Sequence, residues 1–205
     1  MQIILSNLGK KYNREWIFKG IDKSVETGKP IAITGPNGSG KSTLMLIISG
    51  WTIPSTGNIS YINSDSLIPE DKIFREIDFV APYTELIEEL TLEEFLAFHF
   101  NFKTLQSGLT IEDVIQRANL NRERKKYIRN FSSGMKQRLK LALGFYSSCP
   151  VLLLDEPTTN LDNLNKKWYA EIIKNNYGSK IIIIASNNPE EYNIATDYVE
   201  IQNFK

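Results

Sequence analysis

The segment Gly35-Pro36-Asn37-Gly38-Ser39-Gly40-Lys41-Ser42-Thr43 restricts what this chain can fold into more than any other. It follows a short apolar run, Pro30-Ile31-Ala32-Ile33-Thr34, and leads directly into the apolar stretch Leu44 to Ile48. The pattern G-x-x-x-x-G-K-S between a strand and a helix is a phosphate-binding loop. Gly35, Gly38 and Gly40 permit backbone conformations closed to residues with a side chain, so successive N–H groups can turn inward toward phosphate oxygens. The helix starting at Lys41 adds its positive N-terminal end, Lys41 a charge for the β- and γ-phosphates of a nucleotide, and Ser42 a hydroxyl for Mg²⁺. Thr43 is expected to support the α-phosphate, and Pro36, Asn37 and Ser39 complete the cradle.

A strand–loop–helix unit of this kind belongs in an α/β fold, and the rest of the chain agrees. Val151 to Leu154 and Ile181 to Ile184 are apolar without alternation, as expected of parallel strands covered on both faces. Each run ends in polar residues, and ligands of open parallel sheets bind beyond the carboxyl ends of the strands. Gln2 to Leu8 and Trp16 to Glu26 mix β-branched and polar residues, predicting a flanking antiparallel sheet. From about Tyr83 to Ser147 the pattern is helical: Thr91 and Glu94 form a capping box, Thr110 caps a helix over Ile111 to Leu120, and a third helix follows Ser133. There Leu139, Ala142, Leu143 and Tyr146 recur at helical spacing. The 205 residues suit one domain, 1–205, with a core at about 1–82 and 148–205 and a helical lobe at 83–147.

Asp155 and Glu156 follow the run Val151 to Leu154 as adjacent acids. Buried unpaired carboxylates are costly, so a cation or strong donors should lie nearby. Asp155 suits the shell of a phosphate-bound Mg²⁺, which keeps several waters and takes one or two carboxylates. Glu156 is then expected to face the γ-phosphate and polarise the attacking water.

With Phe131-Ser132-Ser133-Gly134-Met135-Lys136-Gln137-Arg138 added, the chain from Tyr12 to Asn187 resembles the ATP-binding subunits of ABC transporters. The resemblance implies a P-loop NTPase core of RecA-like type with a mainly parallel sheet, an N-terminal antiparallel β subdomain and an inserted helical lobe. It reads residues 131–138 as the family signature, in a variant with Ser133 as the first glycine, so that Ser132 and Gly134 meet the γ-phosphate held by a second subunit. An ordinary helix N-cap is the other reading of those residues. Asn160-Leu161-Asp162 resembles the D-loop, whose aspartate contacts the opposing subunit. Tyr12 lies where the family stacks an aromatic ring on adenine, with Trp16 and Phe18 as substitutes; a plain core or surface tyrosine is equally compatible.

Two positions depart from the family. Where it has a glutamine between core and lobe, this chain has Pro82, which has no side-chain donor or acceptor. Where it has a switch histidine, this chain has Asn187, whose amide can donate to a γ-phosphate but carries no titratable proton. The only histidine, His99, reads as structural.

The resemblance further implies a Mg-dependent ATPase with Glu156, Lys41 and Asn187 as catalytic groups. It acts as a homo- or heterodimer of ATP-binding subunits that energises an integral-membrane partner. The alternatives are a soluble ABC-type ATPase outside transport and a nucleotide switch that hydrolyses weakly. Lys+Arg and Asp+Glu balance at 24 each, which implies no nucleic-acid field. The single cysteine, Cys149, leaves no intrachain disulfide to form, consistent with a reducing compartment. The apolar runs are far shorter than the ~20 residues that cross a bilayer, so a cytoplasmic, peripheral placement through a membrane-spanning partner is expected. The basic cluster Arg122 to Lys126 and the acidic residues Glu85, Glu88, Glu89, Glu93 and Glu94 read first as solvated faces. The acids occupy the region where the family receives its membrane subunit.

Overall fold

The computed structural model describes residues 1–64 and 66–205. In chain order the elements are β1 Gln2–Tyr12, β2 Glu15–Glu26, β3 Ile31–Thr34, α1 Lys41–Ile48, β4 Thr56–Asn63, β5 Ser66–Leu67 and β6 Ile77–Val80, then α2 Leu92–His99, α3 Ile111–Arg117, α4 Ser133–Tyr146, β7 Val151–Asp155, α5 Asn163–Asn176, β8 Ile181–Ala185 and β9 Asp197–Glu200. They form two sheets. One is antiparallel with order β2-β1-β4-β5, and the other has order β6-β7-β8-β3-β9 with every pairing parallel.

The parallel strands lack alternation because both of their faces are covered. Leu152, Leu154, Ile182 and Ile184 point into one cluster, shared with Leu96 of α2, Val114 of α3, Leu139 and Leu143 of α4 and Tyr169 of α5. Val151, Leu153, Ile181 and Ile183 point into the other, with Leu44 and Ile48 of α1 and with Ile3, Leu5 and Val25 of the antiparallel sheet. Period-two geometry thus splits each run between two cores. The antiparallel sheet uses its inner face only, which is why β1 and β2 read as mixed.

The first hairpin is longer than its sequence suggests. Beyond Leu8 the ladder continues through register shifts, with Lys10 opposite Phe18 and Tyr12 opposite Glu15. Helix α3 is shorter than the expected Ile111 to Leu120. Asn119 takes a left-handed φ of 56°, and the amides of Asn119 and Leu120 return to the Gln116 and Ile115 carbonyls at 3.0 Å each, closing the helix. The Thr91 and Thr110 caps are both reciprocal, with Glu94 and Asp113 as partners.

At the amino ends of β6, β7 and β8 a buried polar knot closes the sheet. The Lys180 ammonium donates to the Ser147 and Cys149 carbonyls at 2.7 and 2.6 Å, Lys103 lies 3.5 Å from Asp78, and the Ser147 hydroxyl donates to Asp78. The opposite, carboxyl ends of the same strands are left for the site.

Candidate nucleotide site

Strand order decides which residues meet. β6, β7, β8 and β3 are consecutive neighbours, and their registers align Val80 with Leu154, Asp155 with Ala185, and Ala185 with Ile33. The residues just past those positions therefore share one edge: Ala81 to Tyr83, Asp155 and Glu156, Ser186 and Asn187, and the loop from Gly35.

The loop takes the backbone shape that its glycines allow. Gly35, Gly38 and Gly40 have φ of 138°, 75° and 110°. At Gly40 a Cβ would sit 2.4 Å from Ile17 Cγ2, so β2 presses against the loop where α1 begins. Leu44 is the first residue whose amide closes an α1 hydrogen bond, to the Gly40 carbonyl at 3.0 Å. The amides of Lys41, Ser42 and Thr43, ahead of it, have no intrahelical acceptor.

The Lys41 side chain curls back over the loop. Its Nζ donates to the carbonyls of Gly35 at 2.7 Å and Pro36 at 3.2 Å and to Asn187 Oδ1 at 2.9 Å. Asn187 Nδ2 in turn donates to Asn37 Oδ1 at 2.6 Å. Lys41, Asn187 and Asn37 thus form a chain that spans the gap between β8 and the loop. The Ser39 hydroxyl is buried without a hydrogen-bond partner. Behind the loop Thr34 donates to Glu200 Oε2 at 2.7 Å, a brace from β9 that no motif announces.

Asp155 is almost entirely enclosed, at 2% exposure. Burial raises its carboxyl above the ordinary range; the Ser42 and Tyr83 hydroxyls oppose that rise, the Glu156 charge adds to it, and Lys41 offsets it again. The Tyr83 hydroxyl donates to Asp155 Oδ2 at 3.0 Å, and burial together with the Asp155 charge holds that phenol well above its usual value. Glu156 has a left-handed φ of 43° and an amide that donates to the Ala185 carbonyl at 2.9 Å. A glutamate in that region is uncommon, and sites of function are where such strain collects.

These residues fit a magnesium nucleotide. The orphan Ser39 hydroxyl and the free amides of the first turn of α1 are anion ligands without partners. Asp155 with the Ser42 hydroxyl is an all-oxygen set with one carboxylate, as a water-rich Mg²⁺ on phosphate requires.

The remaining predicted residues lie at the start of α4 and α5. Ser132 caps α4, accepting from the Met135 amide at 3.2 Å, and Asp162 caps α5, accepting from the Asn165 amide at 2.8 Å. A Cβ on Gly134 would lie 3.1 Å from the Asn160 carbonyl, and Gln137 Nε2 donates to the Pro157 carbonyl at 2.7 Å. The segment after Glu156 is therefore docked on the beginning of α4. Among the described residues, no hydrogen bond joins Ser132, Gly134 or Asp162 to the loop at 35–43 of the same chain. Tyr12 is half-exposed at the end of β1, with the Lys10 ammonium 4.9 Å from its ring centroid, and the β2 residues that lie against Gly40 of the loop are Ile17 and Phe18. His99 lies outside the site, half-buried against Phe95 and Phe100.

Residues 18–159 match the protein family described as ABC transporter. The lantibiotic transport ATP-binding protein SrtF of Streptococcus pyogenes is 31% identical over 189 residues, which cover 90% of this chain and 79% of that protein. The uncharacterised ABC transporter ATP-binding protein YcbN of Bacillus subtilis is 28% identical over 181 residues, 87% of this chain, so the match spans 59% of that relative's length. Among solved structures, a dimeric bacterial ABC transporter cassette superposes with a TM-score of 0.81 at 25% identity, covering 97% of this chain and 94% of that one.

Proposed function

The chain belongs to the ABC transporter family, a family of ATP-binding ATPases, and from that premise we propose that it hydrolyses Mg·ATP within a dimer whose closing and opening drives a membrane-spanning partner. The observation that carries this is the convergence of Lys41, Asn187, Asp155 and Glu156 on the carboxyl ends of adjacent strands. That arrangement has one anion-binding loop, one metal-type carboxylate and one further carboxylate, the minimum for assisted phosphoryl transfer to water.

In this reading the free amides of residues 41–43 and the Lys41 ammonium take the phosphates. Lys41 exchanges its bonds to the Gly35 and Pro36 carbonyls for phosphate oxygens, and Asn187 stays at its side as an amide donor. Asp155 and Ser42 would hold Mg²⁺, which would supply neutralisation of phosphate charge. Glu156, aimed by its left-handed backbone, orients the attacking water and accepts its proton. Tyr12 stacks on the adenine. Ser132 and Gly134 of one subunit complete the site of another, with Asp162 at the same interface. The dimeric form of the superposing cassette supports that assignment. No helix among the described residues is long and apolar enough to cross a membrane.

The test is Glu156→Gln. Turnover of the purified protein should fall about a hundred- to ten-thousand-fold, while ATP binding persists and ATP-dependent dimers accumulate in size-exclusion chromatography. A turnover rate equal to that of the parent would remove Glu156 from the mechanism. Co-purification of a membrane subunit with the parent chain tests the transport role.

A further inference from the structure

We propose that Tyr83 is the positioning residue that ties the metal corner of the nucleotide site to helix α4, so that Pro82 does not leave that connection broken. The inference rests on the nucleotide reading above.

The geometry is specific at both ends. The Tyr83 hydroxyl reaches Asp155 Oδ2 at 3.0 Å, and it acts on the same carboxylate as the Ser42 hydroxyl. Its ring packs edge-on to Phe79, centroids 6.1 Å apart, which fixes the direction of approach. The turn that carries it is rigid: the Thr84 amide and hydroxyl both return to the Ala81 carbonyl, at 3.2 and 2.8 Å. On its other side Lys140 of α4 donates to the Pro82 and Ala81 carbonyls at 3.1 and 3.3 Å. A continuous chain therefore runs from Ser42 and Asp155 through the Tyr83 hydroxyl and the turn to Lys140. Helix α4 begins at Ser132 and Gly134, the residues assigned to the opposing nucleotide. Proline at 82 suits this device, because a fixed φ stiffens the turn while the next side chain supplies the hydroxyl.

A hydroxyl donated to one carboxylate oxygen fixes the orientation of Asp155, leaving its other lone pairs for Ser42 and the waters of a bound cation. Tyr83 positions a ligand and does not itself react.

Tyr83→Phe removes the hydroxyl and keeps the ring against Phe79. The residue is half-exposed, so the variant should fold, and an unchanged Tm checks this. The measurements are nucleotide affinity at fixed ATP in EDTA and the affinity of the ATP-loaded protein for Mn²⁺, read by electron paramagnetic resonance. We expect unchanged metal-free ATP binding and about tenfold weaker Mn²⁺ binding. Hydrogen exchange should show amides 81–84 and the first turn of α4 slowed by Mg·ATP in the parent and not in Tyr83→Phe. Mn²⁺ affinity equal to or tighter than the parent's overturns the positioning role, and an unchanged exchange response overturns the link to α4. If the parent shows no metal-dependent ATP binding, the nucleotide reading fails first and takes this inference with it.

Discussion

Gly40→Ala is the sharpest test of how the phosphate loop is built, because two separate penalties meet at one atom. The first is conformational. With φ at 110° the position lies outside the regions open to L-residues, and even the milder left-handed helical region costs about 1–2 kcal/mol. The second is steric: the new Cβ would stand 2.4 Å from Ile17 Cγ2, well inside contact distance. Relieving an overlap of that kind typically costs about 1–3 kcal/mol. Lower entropy of the unfolded alanine chain returns about 0.4–1 kcal/mol. The net loss is about 3 kcal/mol, which for a chain of this size lowers Tm by roughly 6–12 °C. Urea denaturation with and without Ile17→Ala separates the parts. If the clash is real, the Ile17→Ala/Gly40→Ala pair shows a favourable coupling of about 1–2 kcal/mol, while the cost due to φ remains. ATP affinity should fall along with stability, since any relief moves the loop away from β2. A Gly40→Ala protein as stable as the parent would refute the conformational argument, and additive single and double variants would refute the contact with Ile17.

Two other outcomes follow from side chains in the same structure. Asn187→Ala removes one of three acceptors around Lys41 and the partner of Asn37, so turnover should fall about a hundredfold. ATP affinity should move by less than about threefold, and equal losses in both would reassign Asn187 to ground-state binding. His99 is the chain's only histidine, and burial lowers its pKa, with Asp78 opposing and Lys103 reinforcing the shift. Its unfolded pKa is about 6.5. Because the folded state binds the proton less readily, the stability it contributes is complete above that value and is lost as pH falls toward the lower folded pKa. Denaturation between pH 5 and 8 should show this slope in the parent and a flatter one in His99→Phe; an equal slope in both assigns the effect to other groups.

What was legible in the sequence is what needs a particular residue type at a particular spacing. The loop could be read because the φ values found at positions 35, 38 and 40 favour glycine strongly, and the buried strands because both faces demand apolar residues. Caps at Thr91 and Thr110 are local and were equally readable. The unread parts are those in which residue type is uninformative or the partners are distant. Glutamate does not advertise a left-handed backbone, so the strain at Glu156 had no signal. The knot of Asp78, Lys103, Ser147 and Lys180 joins four segments and no motif.

Tyr83 is the instructive case. Its neighbour Pro82 looked like a loss, because alignment to a family compares side chains at one position. The contact with Asp155 crosses 72 positions and depends on strand pairing instead. Once Val80 is known to lie beside Leu154, the third residue past Val80 is within a tyrosine's length of Asp155, one past Leu154. A longer side chain one position along can thus reach the same corner, and strand register, not motif identity, decides whether a link across the site survives a substitution.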